Sequence, residues 1–271
     1  MKKNRIKKIV ILIYIICLIA FFSLSSCLVV DPIDHVGNTD YSARKSFSFD
    51  IAVKNQKHIE IENVNGQITI NGKAGLSSVQ IWGERIVQSD SYTDAEEHLE
   101  NLQVVVKDGQ DKISVKTDQP SVTYGRSYRV IYNIIIPDNW DVSVESVNGR
   151  TEIDSLNADI AAGLVNGDFV LTNILGNITA GVTNGTIYGK ITLPINGICA
   201  MSSVNGQIQL SIPETTSAAL TAKVTNGTVS VTNLKLNNMV SSRNLVSGTA
   251  GSGQGTISIE SVNGSISVSG F

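Results

Sequence analysis

The chain carries the phrase Val64-Asn65-Gly66-Gln67-Ile68-Thr69-Ile70 and returns to the same pattern six more times. In every copy a Val or Thr precedes Asn-Gly. The residue two positions after the Asn is polar, and the residue three positions after it is apolar in every copy except the one with Thr151. Strict alternation after a fixed turn predicts a strand with one buried face. The seven pairs are Asn65-Gly66, Asn148-Gly149, Asn166-Gly167, Asn184-Gly185, Asn205-Gly206, Asn226-Gly227 and Asn263-Gly264.

The spacing of these pairs indicates a structural repeat. Successive Asn residues between Asn148 and Asn226 are 18, 18, 21 and 21 residues apart. Periods near 20 residues are typical of units that cannot bury their own apolar face and therefore stack on their neighbours. The last interval, to Asn263, is 37 residues, which corresponds to about two periods with one Asn-Gly missing. We expect a protruding loop in that interval, at Gly248–Gly253.

Two all-β architectures are compatible with this repeat. In a β-solenoid, single-stranded or built as a parallel β-helix, each period of 18–21 residues is one coil, and equivalent residues stack about 4.8 Å apart. In a meander each period is a hairpin, and Asn-Gly is its two-residue type I′ turn. The solenoid is favoured, because the same residues recur at the same phase in every period. The Asn side chains would then form a hydrogen-bonded ladder, and Gly would supply the positive φ at the corner.

The region before the repeat, residues 47–140, is β-rich but less regular, since several short apolar alternations predict strands there. Thr93-Asp94-Ala95-Glu96 is a capping-box pattern and predicts a short amphipathic helix near residues 93–102. Asp108-Gly109 is a hairpin signal. We assign the Asn-Gly repeat itself to residues 141–271.

The first residues have the features of a targeting segment. A basic head is followed by the apolar run Ile9–Phe22 and by Leu24-Ser25-Ser26-Cys27. This order predicts a signal peptide over residues 1–26. The tetrapeptide resembles the lipobox of bacterial lipoproteins, which makes Cys27 the predicted lipid attachment site and residues 27–46 a flexible tether. The alternative is an uncleaved membrane helix over Ile9–Val30. Both interpretations predict a membrane as a partner.

Charge and cysteine content exclude several classes of function. Removal of the five basic residues in 1–26 leaves 16 Lys and Arg against 24 Asp and Glu, a net charge of −8. This acidic balance argues against nucleic acid as a partner. Cys199 is the one cysteine after Cys27, so an internal disulfide is not expected, and it reads as a small core residue. No Cys/His cluster, phosphate loop or dinucleotide motif is present, so we predict no metal, no cofactor and no catalytic residues.

The repeat also carries a family resemblance. Ser-Val-Asn-Gly phrases at Ser146, Ser203 and Ser261, preceded by an apolar strand ending at Pro137 and by a short helix, resemble the bacterial "putative adhesin" family of unknown function. The resemblance covers roughly residues 47–271. It implies a secreted or membrane-tethered β-solenoid, and the family offers no established catalytic residues.

These observations favour a lipid-anchored module of the bacterial cell envelope, facing the periplasm or the exterior. Its role would be non-catalytic binding or structure, with a glycan or an envelope protein as partner. One alternative is a β-helix enzyme acting on polysaccharide, which would need paired carboxylates. The acids from Ser146 onward, among them Asp154 and Asp168, do not pair at equivalent positions. Another alternative is an accessory protein of the envelope stress response.

Overall fold

The computed structural model describes residues 40–271, so the predicted signal peptide, Cys27 and most of the predicted tether lie outside the described residues. The described part is all-β, as predicted. Seventeen strands belong to one sheet, accompanied by one short α-helix and one 3-10 turn. The strands are β1 Tyr41–Ala52, β2 His58–Asn65, β3 Ile68–Lys73, β4 Ser78–Ser89, β5 Gln103–Asp108, β6 Ile113–Asp118, β7 Ser127–Pro137, β8 Asp141–Asn148, β9 Thr151–Leu156, β10 Ile160–Asn166, β11 Phe169–Leu175, β12 Ile178–Thr192, β13 Ile198–Ile212, β14 Ala218–Thr232, β15 Leu236–Ser241, β16 Leu245–Ala250 and β17 Gly255–Gly270; the helix α1 is Tyr92–Glu97, and the 3-10 turn is Leu99–Asn101.

The end of the predicted tether is part of the sheet. Residues 41–46 were expected in the flexible segment 27–46, yet they begin β1. This strand pairs antiparallel with β4 along its whole length, from Tyr41 opposite Ser89 to Ala52 opposite Ser78. The buried side chain of Ala43 anchors the early part of the strand to the core. Backbone pairing with a long neighbour thus orders a stretch whose side chains are mostly polar.

The helix begins two residues earlier than its capping-box pattern suggests. Ser91 is the N-cap, and its side chain accepts a hydrogen bond of 3.2 Å from the backbone N–H of Asp94. The Arg126 guanidinium donates to both carboxylate oxygens of Asp94 at 2.6 Å and holds the pKa of that carboxyl well below its usual range. Ala95 and Leu99 are buried and attach this short helical segment to the core.

Each Asn-Gly pair marks a bend between two layers of strands. In the copy at Asn205, the buried residues are Ser203 and Ile208, two positions before and three positions after the Asn. Five residues is an odd separation, which would place these side chains on opposite faces of a straight strand. The chain therefore turns at Asn-Gly, so that both halves of the phrase direct their buried faces to one core. Other copies repeat this pattern, with Val229 half-buried in the copy at Asn226.

The two halves of a phrase pair with neighbouring phrases rather than with each other, unlike the strands of a hairpin. Before the bend the parallel order is β6, β2, β8, β10, β12, β13, β17, β14. After the bend it is β7, β3, β9, β11, β12, β13, β17, β14. Antiparallel strands complete both ends: β1, β4 and β5 at one, β15 and β16 at the other.

The last repeat does not stack at the end of the array. Strand β17 inserts between β13 and β14, so that Asn263 lies between Asn205 and Asn226. The expected loop at Gly248–Gly253 is shorter than predicted, because residues 248–250 belong to β16, which pairs antiparallel with β14 and β15, and only residues 251–254 connect β16 to β17. The long final interval therefore contains β15 and β16, which lie at the end of the stack. The chain then returns to the interior of the stack as β17. The cover formed by β15 and β16 shields the first half of the terminal strand β14, residues 218–223, from pairing with other chains.

Stacking explains why a glycine follows each Asn. Gly206 has a φ of +152°, and a Cβ added there would lie 1.8 Å from the carbonyl oxygen of Gly185. Both the backbone conformation and the contact exclude an L side chain. The glycine carbonyls are stacked in the same way through the array, since the added Cβ of Gly185 would meet Gly167 and that of Gly264 would meet Gly206.

We predict that Gly206→Ala destabilises the fold by at least about 3 kcal/mol, because the strained φ and the backbone clash act together. Gly163→Ala is the matched control: an added Cβ there meets nothing within 4 Å. It should change stability by less than about 1 kcal/mol. Chemical denaturation followed by circular dichroism measures both. Equal midpoints for the two variants would contradict the stacking described above.

Candidate functional site

The seven predicted Asn residues form one continuous row of side-chain hydrogen bonds. The Nδ2 of each Asn donates to the Oδ1 of the next, at distances between 2.7 and 2.9 Å. At the far end, Asn65 donates to the backbone carbonyl of Tyr128 at 3.0 Å. The row runs Asn226, Asn263, Asn205, Asn184, Asn166, Asn148, Asn65, and all amides point the same way. Because these amides bond one another, the row acts as structure and offers a ligand few open groups.

Asp168, Asp154 and Cys199, the other candidates in the sequence, also have structural roles. Asp168 accepts a hydrogen bond of 3.1 Å from the backbone N–H of Thr186 on the next strand. Asp154 accepts one of 3.0 Å from the Asn173 side chain. Cys199 is fully buried, and burial raises the pKa of its thiol to about 12, so it is not a reactive thiolate. In the register of the sheet Asp154 lies between Asn71 and Thr172, neither of which is a carboxylate.

A concavity lies elsewhere, on the outer face of the strands that precede the bend. This groove has a volume of about 550 Å³ and crosses β2, β8, β10 and β12, with β6 at one end. Its size is that of a small-molecule or short-peptide site. Ala161, Gly163 and Gly181 form a floor with almost no side chains, and Val64, Val147 and Val165 form one wall.

One outward row of residues sets the charge of the groove. We call it the central row, and it follows the parallel register through Lys116, Glu62, Glu145, Gly163, Gly181, Ser202, Glu260 and Lys223. Lys116 forms an ion pair of 2.8 Å with Glu62. Lys223 stands beside Glu260 in register. Glu145 is the exception, because its two neighbours in the row are another acid, Glu62, and a glycine.

Glu145 therefore stands in an unfavourable electrostatic environment. No salt bridge involves it within the part of the chain that the structure describes, whereas Glu60 is ion-paired with Lys112. Loss of solvation raises the pKa of the Glu145 carboxyl, and the nearby charges of Glu62 and Glu60 raise it further. Like charges directly opposite each other on a sheet are destabilising. The groove can therefore attract a cation or offer a hydrogen bond at this point.

The sequence patterns do not identify Glu62 and Glu145 as groove residues, although their positions relative to the repeated Asn are informative. Glu62 and Glu145 each lie three positions before an Asn of the repeat, Asn65 and Asn148. Once the phrases are stacked on their Asn residues, the two acids must become neighbours. Glu145 directly precedes Ser146, so the acids from Ser146 onward do not include it.

Among residues 40–271, no helix has the length and apolar character needed to cross a membrane. In the same residues, no group of three or more His, Cys, Asp or Glu side chains is arranged to hold a metal ion. The groove is lined by the carboxylates of Glu60, Glu62 and Glu145, by Lys116 and by an apolar floor.

Comparison with solved structures finds several similar chains. The chain has structural similarity to a "putative cell adhesion protein" from Clostridium sporogenes, with 13% identity, a TM-score of 0.44, and coverage of 84% of this chain and 100% of that one. A "putative adhesin" from Bacteroides fragilis has 14% identity, a TM-score of 0.29, and coverage of 84% and 97%. A "putative lipid binding protein" from Parabacteroides distasonis has 13% identity, a TM-score of 0.24, and coverage of 87% and 98%.

No curated protein matches the chain. A family model described as Toastrack DUF4097 matches residues 38–269, which is nearly all of the described chain. This agrees with the resemblance to the "putative adhesin" family that the Ser-Val-Asn-Gly phrases carry. The chain belongs to the Toastrack DUF4097 family.

Proposed function

We propose that this protein is a membrane-anchored lipoprotein of the bacterial cell envelope and that it acts as a non-catalytic binding module. The groove across β2, β8, β10 and β12 is its binding site, and this concavity is the single observation that carries the proposal. Its partner is a glycan or a protein of the envelope. The body is held out from the membrane by the segment after Cys27, facing the periplasm or the exterior.

The architecture suits this role. We interpret the parallel stack of β8 to β14 and β17 as a β-solenoid, with the Asn row at its corner and antiparallel strands at both ends. In such a stack each outward row of side chains extends over several strands at a regular spacing of about 4.8 Å. An elongated ligand can therefore make repeated contacts along the face. A rigid sheet also loses little conformational entropy when it binds.

The lipid anchor is testable through Cys27. Cys27→Ser should abolish incorporation of radiolabelled palmitate and move the protein from the membrane pellet to the soluble fraction, because the thiol that carries the lipid is lost. Cys199→Ser is the matched control and should retain both label and membrane association. A Cys27→Ser protein that stays in the membrane at full length would instead favour the uncleaved helix over Ile9–Val30.

The binding role of the groove is testable by filling its floor. Gly163→Leu places a side chain into open space in the groove. Ser202→Leu makes the same addition in the central row, outside the groove. In co-sedimentation of the full chain with purified cell-wall sacculi, we expect wild type and Ser202→Leu to be retained. We expect Gly163→Leu to lose retention at least about tenfold, since a filled cavity excludes its ligand. Equal retention of all three would contradict the proposal.

A second candidate, an enzyme acting on polysaccharide, is favoured by one observation. Glu62 and Glu145 lie side by side on adjacent strands, and the pKa of Glu145 is raised, as a general acid requires. The separation of adjacent strands is close to that of the carboxylates in retaining glycosidases.

An assay of reducing-end release from oligosaccharides decides between the two roles. The binding role predicts no turnover by wild type with either neutral or uronic acid oligosaccharides. Turnover that falls at least about a hundredfold in both Glu62→Gln and Glu145→Gln, but persists in Glu260→Gln, would establish the enzyme instead.

A further inference from the structure

We propose that the groove binds an extended peptide segment through a lysine-like ammonium group, with Glu145 as its carboxylate partner. This inference rests on the proposed function and specifies the ligand of the same groove. It is carried by the order of residues along the central row and by the shape of the floor beside Glu145.

The position next to Glu145 has the features of a place for a cation. The other two acids of the central row each have a lysine as register neighbour: Lys116 beside Glu62, and Lys223 beside Glu260. Beside Glu145 the row has Gly163 instead, with open space where a side chain would project. A protein that used this row only for stability would place a basic side chain there. A ligand ammonium above Gly163 would supply the missing charge and form a charge-assisted hydrogen bond.

The rest of the groove fits an aliphatic body rather than a sugar ring. Its wall is formed by Val64, Val147 and Val165, and no aromatic side chain of residues 40–271 lines it. Sugar rings and planar ligands are usually held by aromatic faces. A lysine side chain has four methylene groups that can lie along the valine wall while its ammonium reaches the carboxylates.

The length of the groove sets the length of the segment. It crosses four strands, β2, β8, β10 and β12, which is three inter-strand spacings or about 14 Å. An extended chain advances about 3.3 Å per residue, so about four residues fill it. The ligand is therefore a short extended stretch with a basic residue near the β2 end, where Glu62 and Glu145 lie.

The test is fluorescence polarisation with the full chain in detergent micelles. The probe is fluorescein-labelled Ala-Lys-Ala-Ala amide, and the control probe has norleucine in place of lysine, which keeps the aliphatic chain and removes the charge. Wild type should bind the lysine probe at least about tenfold more tightly than the norleucine probe. Glu145→Gln should abolish this preference, whereas Glu260→Gln, in the same row but outside the groove, should keep it. Gly163→Leu should prevent binding of both probes.

The other outcomes identify which proposal fails. Equal affinity for the two probes would overturn the role of the ammonium and leave the groove as a binding site. No binding of either probe up to millimolar concentration, with sacculus retention still sensitive to Gly163→Leu, would overturn the peptide ligand alone. Probe and sacculus binding that are both unchanged in Gly163→Leu would overturn the proposed function together with this inference. Circular dichroism of each variant verifies that the fold is intact.

Discussion

The contact between consecutive Asn-Gly turns is the constraint on which the structure depends. Each glycine carbonyl lies where the Cβ of the next residue in the stack would be, and each Asn amide donates to the one beside it. A neighbouring carbonyl can approach this closely only where the residue it faces is a glycine without a Cβ. The turn therefore fixes the register of the strands that carry the Asn-Gly phrase, and a slip by one residue would both break the amide row and expose the apolar face.

That register explains features well away from the turn. Residues two before and three after each Asn are brought to the interior, and they build a single continuous core from strands far apart in sequence. The first turn, Asn65, joins the same row as Asn148 although 83 residues separate them. The intervening strands β4 to β7 and the helix α1 are consequently an elaboration of one end of the stack. At the opposite end, β15 and β16 have the corresponding role.

The same register creates the groove and its unusual charge. Outward side chains in a parallel stack are aligned strand over strand, so an acid at an equivalent position in two phrases becomes a neighbouring pair. Glu62 and Glu145 are such a pair, and the next phrases have glycine at that position. An unpaired carboxylate next to a bare floor does not contribute to stability. Polar groups that are unfavourable for the fold and open to solvent are commonly found where a protein meets its ligand.

The sequence by itself determined the repeating unit. The Asn-Gly pairs, the alternation after them and the need for glycine could be predicted because they are local: period-2 patterning and backbone sterics act within a few residues. The all-β class and the short helix followed from the same kind of signal, although the early start of β1 at Tyr41 depended on pairing with the distant strand β4. The tertiary structure alone decided the order of the stack. The insertion of β17 between β13 and β14 cannot be inferred from spacing, because a strand with this pattern can pair with any open strand edge. In the folded chain β16 occupies the outer edge of β14, and β17 pairs on its inner edge. The groove is likewise a tertiary feature, since its charge and its bare floor both arise from the alignment of residues on neighbouring strands.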